Sequence, residues 1–553
     1  MRTTLLVLLF GALTLAMAAP WSLHPSTRVV IDNPDTHLYL WTLGWDAHAF
    51  ATAPLSIFDA NIYFPYANTL AYSENMIGSA LVAAPIIWLT GDLVLALNAV
   101  LLLSCMLCGL GAYVLARRLG LGVGAAIVAG LVFAFAPTRF FRMSQLHLNA
   151  VQWLPFGLAS LHAYFDHGRP RDLRAAVGFF SLQAITSGHG AVMLGVAMAL
   201  LTLYRLAVQR EPIAVMRRAK DAGLASVLLL VPAVLVLVPY RRARAEIGLD
   251  RSLERWGVTP ESFLASPSVV HTFLLSLVTD RDLSLTASAF LFPGYLALAL
   301  AGVALWPART ADETGAAGPF REMRHHVWFY ALLTLVSVLC FTGGPFDLWP
   351  WVHTWPGFNF IRVPSRFMNL TTLALAMLAG AGFARLTARA GMRGTVVAAA
   401  AAGALLLGEY SAYPFTGVPF RVPSPAITEW LAAQPAPFVV AEVPVPPASR
   451  GGAFTRFQTA AMLHSTAHWQ KTLHGYSGIQ PPLHDRVFAE LTTFPDDRSI
   501  ATLQELGVTH VVVHRPLYAP EAWADVEARL TRATGLSFVH AEADGAVYAV
   551  GGR

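Results

Sequence analysis

The chain has 553 residues, of which 55% are hydrophobic and 13% charged, with a mean hydropathy of +0.53. Soluble domains carry about 25% charged residues, so this composition excludes an ordinary soluble enzyme and fits about ten or more membrane spans plus an exterior domain. The net charge of +5 is small, and most Lys and Arg lie between apolar runs, which points to membrane topology and away from nucleic acid.

The first apolar segment, 3–20, ends in "LAMAAP", which resembles a signal-peptidase site. Its positive leading region is thin, which favours a retained helix. The first loop, about 21–75, opens with "VVIDNPDTHLYLWTLGWDAHAF", holding Asp32, Asp35 and Asp46 among Trp, Tyr and His. Asp32, Asp35, Tyr39 and Asp46 fall at helical spacing on one face, with Trp41, Trp45 and His48 on a neighbouring face. Acid at a membrane surface suits a polar substrate presented from the bilayer. One carboxylate can deprotonate an acceptor hydroxyl, or Asp32 with Asp35 can ligate a divalent cation such as Mg or Mn. The structural alternative is that "DNPD" caps a helix and that the aromatics form an interfacial belt. Further along the loop, Glu74 is a candidate substrate-lining residue beside Tyr39.

Beyond the loop the apolar runs fall near 92–116, 121–137, 149–165, 174–188, 190–208, 222–239, 288–306, 326–342, 366–385 and 393–409. Their connections alternate. Basic ones, such as Arg117-Arg118 and the stretches 169–174, 210–220, 309–324 and 385–393, belong on the cytoplasmic side. The others carry Asp, His, Pro and aromatics and belong outside. This predicts about eleven transmembrane helices, with 76–90, broken by Pro85 and Gly91, as an interfacial or re-entrant helix. Cys105 and Cys108 form a C-x-x-C inside an apolar helix with no second ligand pair, so small residues packing in a span is the reading. After Glu409 the character changes. "APFVVAEVPVP" and "GVTHVVVH" read as strands, "SFVHAEADGAVYAV" as a hairpin, and "SPAITEWLAA" and "APEAWADVEARLTRATG" as helices. The expected division is a transmembrane domain over 1–409 and an extracytoplasmic α/β domain over 410–553.

Several arginines sit on the outward side, against the positive-inside rule: Arg139 and Arg142; Arg241, Arg242, Arg244, Arg251 and Arg255; Arg362 and Arg366. Guanidinium groups bind phosphate bidentately, and a lipid phosphate lies at this depth; loop carboxylates or ordinary headgroups are the alternative partners. Arg362 and Arg366 would share a face if their turn were helical. His189 in "SGHG" marks an outward turn and can line a site. "HSTAH" (His464, His468) has i,i+4 spacing without the Glu of a zinc-protease motif.

"DTHLYLWTLGWDAHAF", "NIYFPYANTLAYSEN", "FAFAPTRFFRMSQLHLNAVQWLPF", "FNFIRVPSRF" and "HSTAHWQKTLHGYSGIQPP" resemble a group of large bacterial membrane proteins of the GT-C superfamily of integral-membrane glycosyltransferases. The resemblance implies a polytopic, mainly α protein of the bacterial inner membrane. It also implies transfer of a sugar from a polyprenyl-phosphate donor to a glycan or lipid acceptor of the envelope, on the outer face. It implies that a first-loop Asp is the general base. Asp35 is the best match, with Asp46 and Asp32 behind it, and Arg362, Arg366, Arg139 and Arg142 are candidates to hold the donor phosphate. The acid often found beside the family's Asp is Thr36 here. A transporter or lipid flippase, or a non-catalytic envelope assembly protein, are the alternative functions; few charges fall mid-helix, which speaks for surface chemistry over transport.

Overall fold

A computed structural model describes residues 3–208, 220, 223–248, 258–279, 283, 289–307, 317–343, 346–355, 358–359 and 361–551. Arg251 and Arg255 of the sequence analysis lie outside them. The chain forms two compact units. One comprises Met1–Pro25, Asn98–Val236 and Asp250–Gly417; the other comprises Ser26–Leu97, Leu237–Leu249 and Val418–Arg553. Most of the first loop therefore groups with the apolar helix Ile77–Thr90 and the C-terminal segment rather than with the helix Thr3–Met17 that precedes it.

The first unit is helical. Each expected span coincides with a helix, and six helices among the described residues are long and apolar enough to cross a membrane, including Leu93–Arg118, Gly188–Val208, Pro364–Leu386 and Met392–Tyr410. Two of them expose Leu228 and Leu235, and Val397 and Leu405, and the shorter helix Thr3–Met17 exposes Leu8. That much contiguous apolar surface suits lipid, not water. The helix Met368–Leu386 is central and packs on Tyr295–Leu305, Val123–Phe135 and Ala317–Leu339. Gly382 makes the first of these contacts possible, because a Cβ there would collide with the Leu300 carbonyl. Polar side chains tie the short helix Leu146–Asn149 into the bundle. Asn149 donates to the Leu101 carbonyl at 3.1 Å, and Asn369 donates to that of Leu148 at 2.9 Å. Glu409 accepts from His271 at 2.8 Å and from the backbone N–H groups of Tyr295 and Leu296, so it satisfies the open N-terminus of Tyr295–Leu305. Cys105, Cys108 and Cys340 are buried and free.

The second unit is built on a five-stranded sheet. Its strands are β3 (Val439–Val443), β4 (Lys471–Thr472), β5 (His510–Val513), β6 (Leu536–Glu542) and β7 (Gly545–Val550), in the order β4-β3-β5-β7-β6. β3 runs parallel to β4 and β5, while β5–β7 and β6–β7 are antiparallel. Alternation along the strands sets two faces. Ala441, Val443, Val511 and Val513 join the larger core with Val487, Phe488 and Leu503. Val440, Val512 and Val547 join a smaller one under the helix Ala426–Ala432. Glu442 follows Val440 by two residues on β3, so its side chain shares that smaller face.

The loop is stitched to the C-terminal segment at several points, first through a separate two-stranded sheet. β1 (Arg28–Val29) pairs antiparallel with β2 (Val418–Pro419). Asn61 accepts from the Trp41 indole at 3.2 Å and donates to Ser465 at 3.0 Å, and its carbonyl accepts from Thr472 N–H at 2.8 Å. The loop helix runs Pro34–Thr52 and packs on Ile77–Thr90 and Gly451–His464. Its start is set by Asn33, which accepts from Thr36 N–H, and by Pro34 in the first turn. The cap of "DNPD" thus falls to Asn33 and not to either aspartate. Trp45, His48 and Trp469 form a contiguous ring stack, His48 and Trp469 with centroids 5.0 Å apart. The neighbouring face read from the sequence is therefore spent on packing.

Candidate functional site

Within the second unit, the three loop aspartates meet three environments. Asp35 stands in the first turn of the loop helix, where the N-terminal dipole favours a carboxylate. It is part-exposed, and its Oδ1 accepts from the Tyr476 hydroxyl at 3.1 Å. Asp32 precedes the helix, is 54% exposed, and accepts from His37 Nε2 at 2.8 Å; the other His37 ring nitrogen meets the Thr459 hydroxyl at 2.9 Å. Asp46 lies three turns inside the helix and is wholly buried. Neither of its oxygens has a hydrogen-bond partner among the described residues, and burial holds its carboxyl well above the usual range. Tyr39, offered as substrate-lining, is 2% exposed and belongs to the packed face. Glu74 is part-exposed in a stretch that Tyr240 clasps, its hydroxyl donating to the Ser73 carbonyl at 2.8 Å.

Within the first unit, the sequence candidates separate into a spent arginine and an assembled cluster. Arg139 is 1% exposed; it donates to the carbonyls of Phe133, Ala134 and Asn149 and to Cys108 Sγ, and lies over the Phe133 ring. It satisfies carbonyls left open where the helix Val123–Phe135 ends, and so is committed to the fold. Arg366 lies in the short turn Pro364–Phe367 and meets His189 Nε2 at 2.5 Å. The His189 ring sits 5.3 Å from that of His147. Burial and the neighbouring Arg366 charge push Arg142 down to about 10. Each guanidinium thus raises the electrostatic cost of the other's charge, a cost that a nearby anion lowers. The turn begins at Pro364, which leaves Arg362 outside it and exposed, so the shared helical face expected for Arg362 and Arg366 does not form. Arg241, Arg242 and Arg244 are exposed on the helix Gly223–Ile247.

One constellation was missed by sequence reasoning. Glu442, His464 and His514 each offer a ligand atom, all within 4.8 Å of one another. His464 Nδ1 and His514 Nε2 lie 2.8 and 2.6 Å from the same oxygen, Glu442 Oε2. Burial works against ionisation of Glu442, but the two imidazoles overcome it and hold the carboxyl well below its ordinary value. The i,i+4 pair His464/His468 was the visible signal, and it misdirects: His468 Nδ1 accepts from Gln470 N–H. The oxygen ligands expected for Mg or Mn at Asp32 and Asp35 are engaged by separate partners, His37 and Tyr476.

No protein-family model matches the sequence, and no curated protein matches it. Solved structures do. The arabinofuranosyltransferase AftD from Mycobacteria is similar over 100% of this chain and 40% of its own, with 17% identity and a TM-score of 0.58. This chain thus spans well under half the length of that protein. The archaeal oligosaccharyltransferase AglB from Archaeoglobus fulgidus is similar over 99% of this chain and 74% of its own, with 13% identity and a TM-score of 0.48. ArnT from Cupriavidus metallidurans, solved bound to undecaprenyl phosphate, is similar over 99% and 98%, with 14% identity and a TM-score of 0.47. The chain has a GT-C-like fold.

Proposed function

We propose that the protein is a GT-C-type membrane glycosyltransferase that moves a sugar from a polyprenyl-phosphate donor to a glycan or lipid acceptor of the bacterial envelope. The observation that carries this reading is Asp35. In a chain of this fold, a part-exposed carboxylate stands at the first turn of the loop helix, held by Tyr476. As general base, Asp35 takes the proton of the acceptor hydroxyl while the acceptor oxygen bonds to the anomeric carbon. The bond from that carbon to the phosphate oxygen breaks, and its electron pair leaves on the polyprenyl phosphate. The leaving phosphate needs positive charge, and Arg366 and Arg142 are carried forward from the sequence as the candidates to supply it. Asp46 is set aside as base because it meets no solvent. Arg139 is set aside as phosphate ligand because it is buried and both of its terminal nitrogens already donate to the protein.

The expected topology has about eleven crossings, with the loop helix and the C-terminal α/β segment outside the inner membrane. The donor is a pentosyl or hexosyl polyprenyl phosphate; the name of the AftD relative favours testing arabinofuranosyl donors first. The test is purified protein in lipid with a panel of such donors. Glycosyl product from wild-type that is lost in Asp35→Asn supports the reading. Undiminished turnover in both Asp35→Asn and Arg366→Ala sinks it, and lipid translocation without glycosyl product would replace it by a flippase.

A further inference from the structure

We propose that Glu442, His464 and His514 form a binding site for a transition-metal dication, zinc foremost, with an open coordination position that takes water or an anionic oxygen ligand. The three ligands come from three separately anchored elements. Glu442 is on β3, flanked on both sides by β4 and β5. His514 directly follows β5, and its backbone N–H donates to the Val443 carbonyl at 2.9 Å. His464 ends the helix Gly451–His464. Rigid placement of this kind is what a metal site requires of its scaffold.

Three features favour a cation. First, a carboxylate 2% exposed on an inner strand has only imidazole nitrogens to meet its charge among the described residues. Imidazole is ordinarily neutral at pH 7, so balancing the carboxylate's single charge takes a protonated ring or a bound ion. Second, both nitrogens converge on one oxygen from different directions, as ligands converge on a common centre. Third, Asp544, with one carboxylate oxygen buried and unpartnered among the described residues, lines the same cavity and adds negative charge beside His514.

Two nitrogens and one carboxylate oxygen select a borderline ion such as zinc over Ca²⁺ or Mg²⁺, which prefer all-oxygen shells. Ligand atoms of a tetrahedral zinc site lie roughly 3.4 Å apart, so a sub-ångström retreat of Glu442 Oε2 admits the ion. The three side chains line a cavity of about 440 Å³ together with Pro425, Phe457, Leu517 and Asp544. A fourth position facing that cavity is accessible to a small carboxylate or phosphate group.

The experiment uses full-length protein without an affinity tag of histidines, in lipid nanodiscs, stripped with chelator and dialysed. Zinc is titrated by calorimetry, bound metal is counted by mass spectrometry, and cobalt serves as a spectroscopic probe. One equivalent per chain is expected, with an intense tetrahedral cobalt spectrum that changes on adding acetate or inorganic phosphate. His514→Ala and Glu442→Gln should weaken binding at least 100-fold, while His540→Ala, at the exposed His540–Glu542 pair, should leave it unchanged. His464→Asn and His514→Gln, closer in size, repeat the measurement if the larger truncations fail to fold. Wild-type protein that takes up no stoichiometric zinc or cobalt overturns the site, as does binding undiminished in Glu442→Gln. A cobalt spectrum indifferent to both anions overturns the open position.

Discussion

The two ends of the loop helix Pro34–Thr52 treat the same side chain in opposite ways. At its N-terminus Asp35 keeps contact with solvent and gains the helix dipole and the Tyr476 hydroxyl. Asp46, on the same helical face, is enclosed without a hydrogen-bond partner among the described residues, and burial raises its pKa well above the usual carboxylate value. One carboxylate is open to a substrate; the other sits where its charge is disfavoured. Periodicity alone cannot tell them apart, because it names a face and does not say which part of that face is covered.

The comparison can be broken most forcefully at Asp35. Asp35→Asn should lower the turnover of transfer by about 10²–10⁴, measured as product formed under saturating donor, while Asp46→Asn stays within a few-fold of wild-type; the reverse ranking would move the base to the buried end. Next in size is Arg366→Ala, expected to cost about 10²–10³ in kcat/KM with part of the loss in donor affinity. An effect confined to folding, seen as a lowered melting temperature with normal specific activity, would remove Arg366 from the chemistry.

A smaller effect sharpens the contrast from the other side. The folded state raises the Asp46 pKa above its unfolded value. The stability this group contributes is therefore fully present below about pH 4 and is lost as pH rises toward the folded value, at up to about 1.4 kcal/mol per pH unit. Asp46→Asn should remove that dependence and raise the melting temperature at neutral pH. A melting temperature for Asp46→Asn below wild-type at every pH would show a carboxyl with a specific partner. Smallest is Tyr476→Phe, which deletes one hydrogen bond to Asp35 and should slow transfer about 5- to 10-fold without shifting the melting temperature.

What the sequence made legible follows from the range of the forces involved. Loop charge and apolar run length are local, and helices stand where the spans were expected, from Thr3–Met17 to Met392–Tyr410. Strand alternation is local too, so β3, β5 and the β6–β7 hairpin fall where "FVVAEV", "HVVV" and "SFVHAEADGAVYAV" were read. Contacts between distant residues were not legible. Glu442 meets His464 and His514 across 22 and 72 residues, a spacing with no local signature. Arg139 and Arg366 looked alike as misplaced charges, and only their partners, backbone carbonyls for one and His189 for the other, separate them. The two-residue β4 gives no alternating run to read.

The pairing of β1 with β2 joins Arg28 to Pro419 and Val29 to Val418. A ribosome finishes the loop helix long before it makes the strand that the loop needs. The loop must therefore wait, half-assembled, while the intervening apolar helices are threaded into the bilayer, and nascent chains halted before residue 418 should be the ones that quality-control proteases find first. Ordering of the loop around Asp35 is in this way timed by synthesis of the strand at 418–419 and not by synthesis of the loop itself.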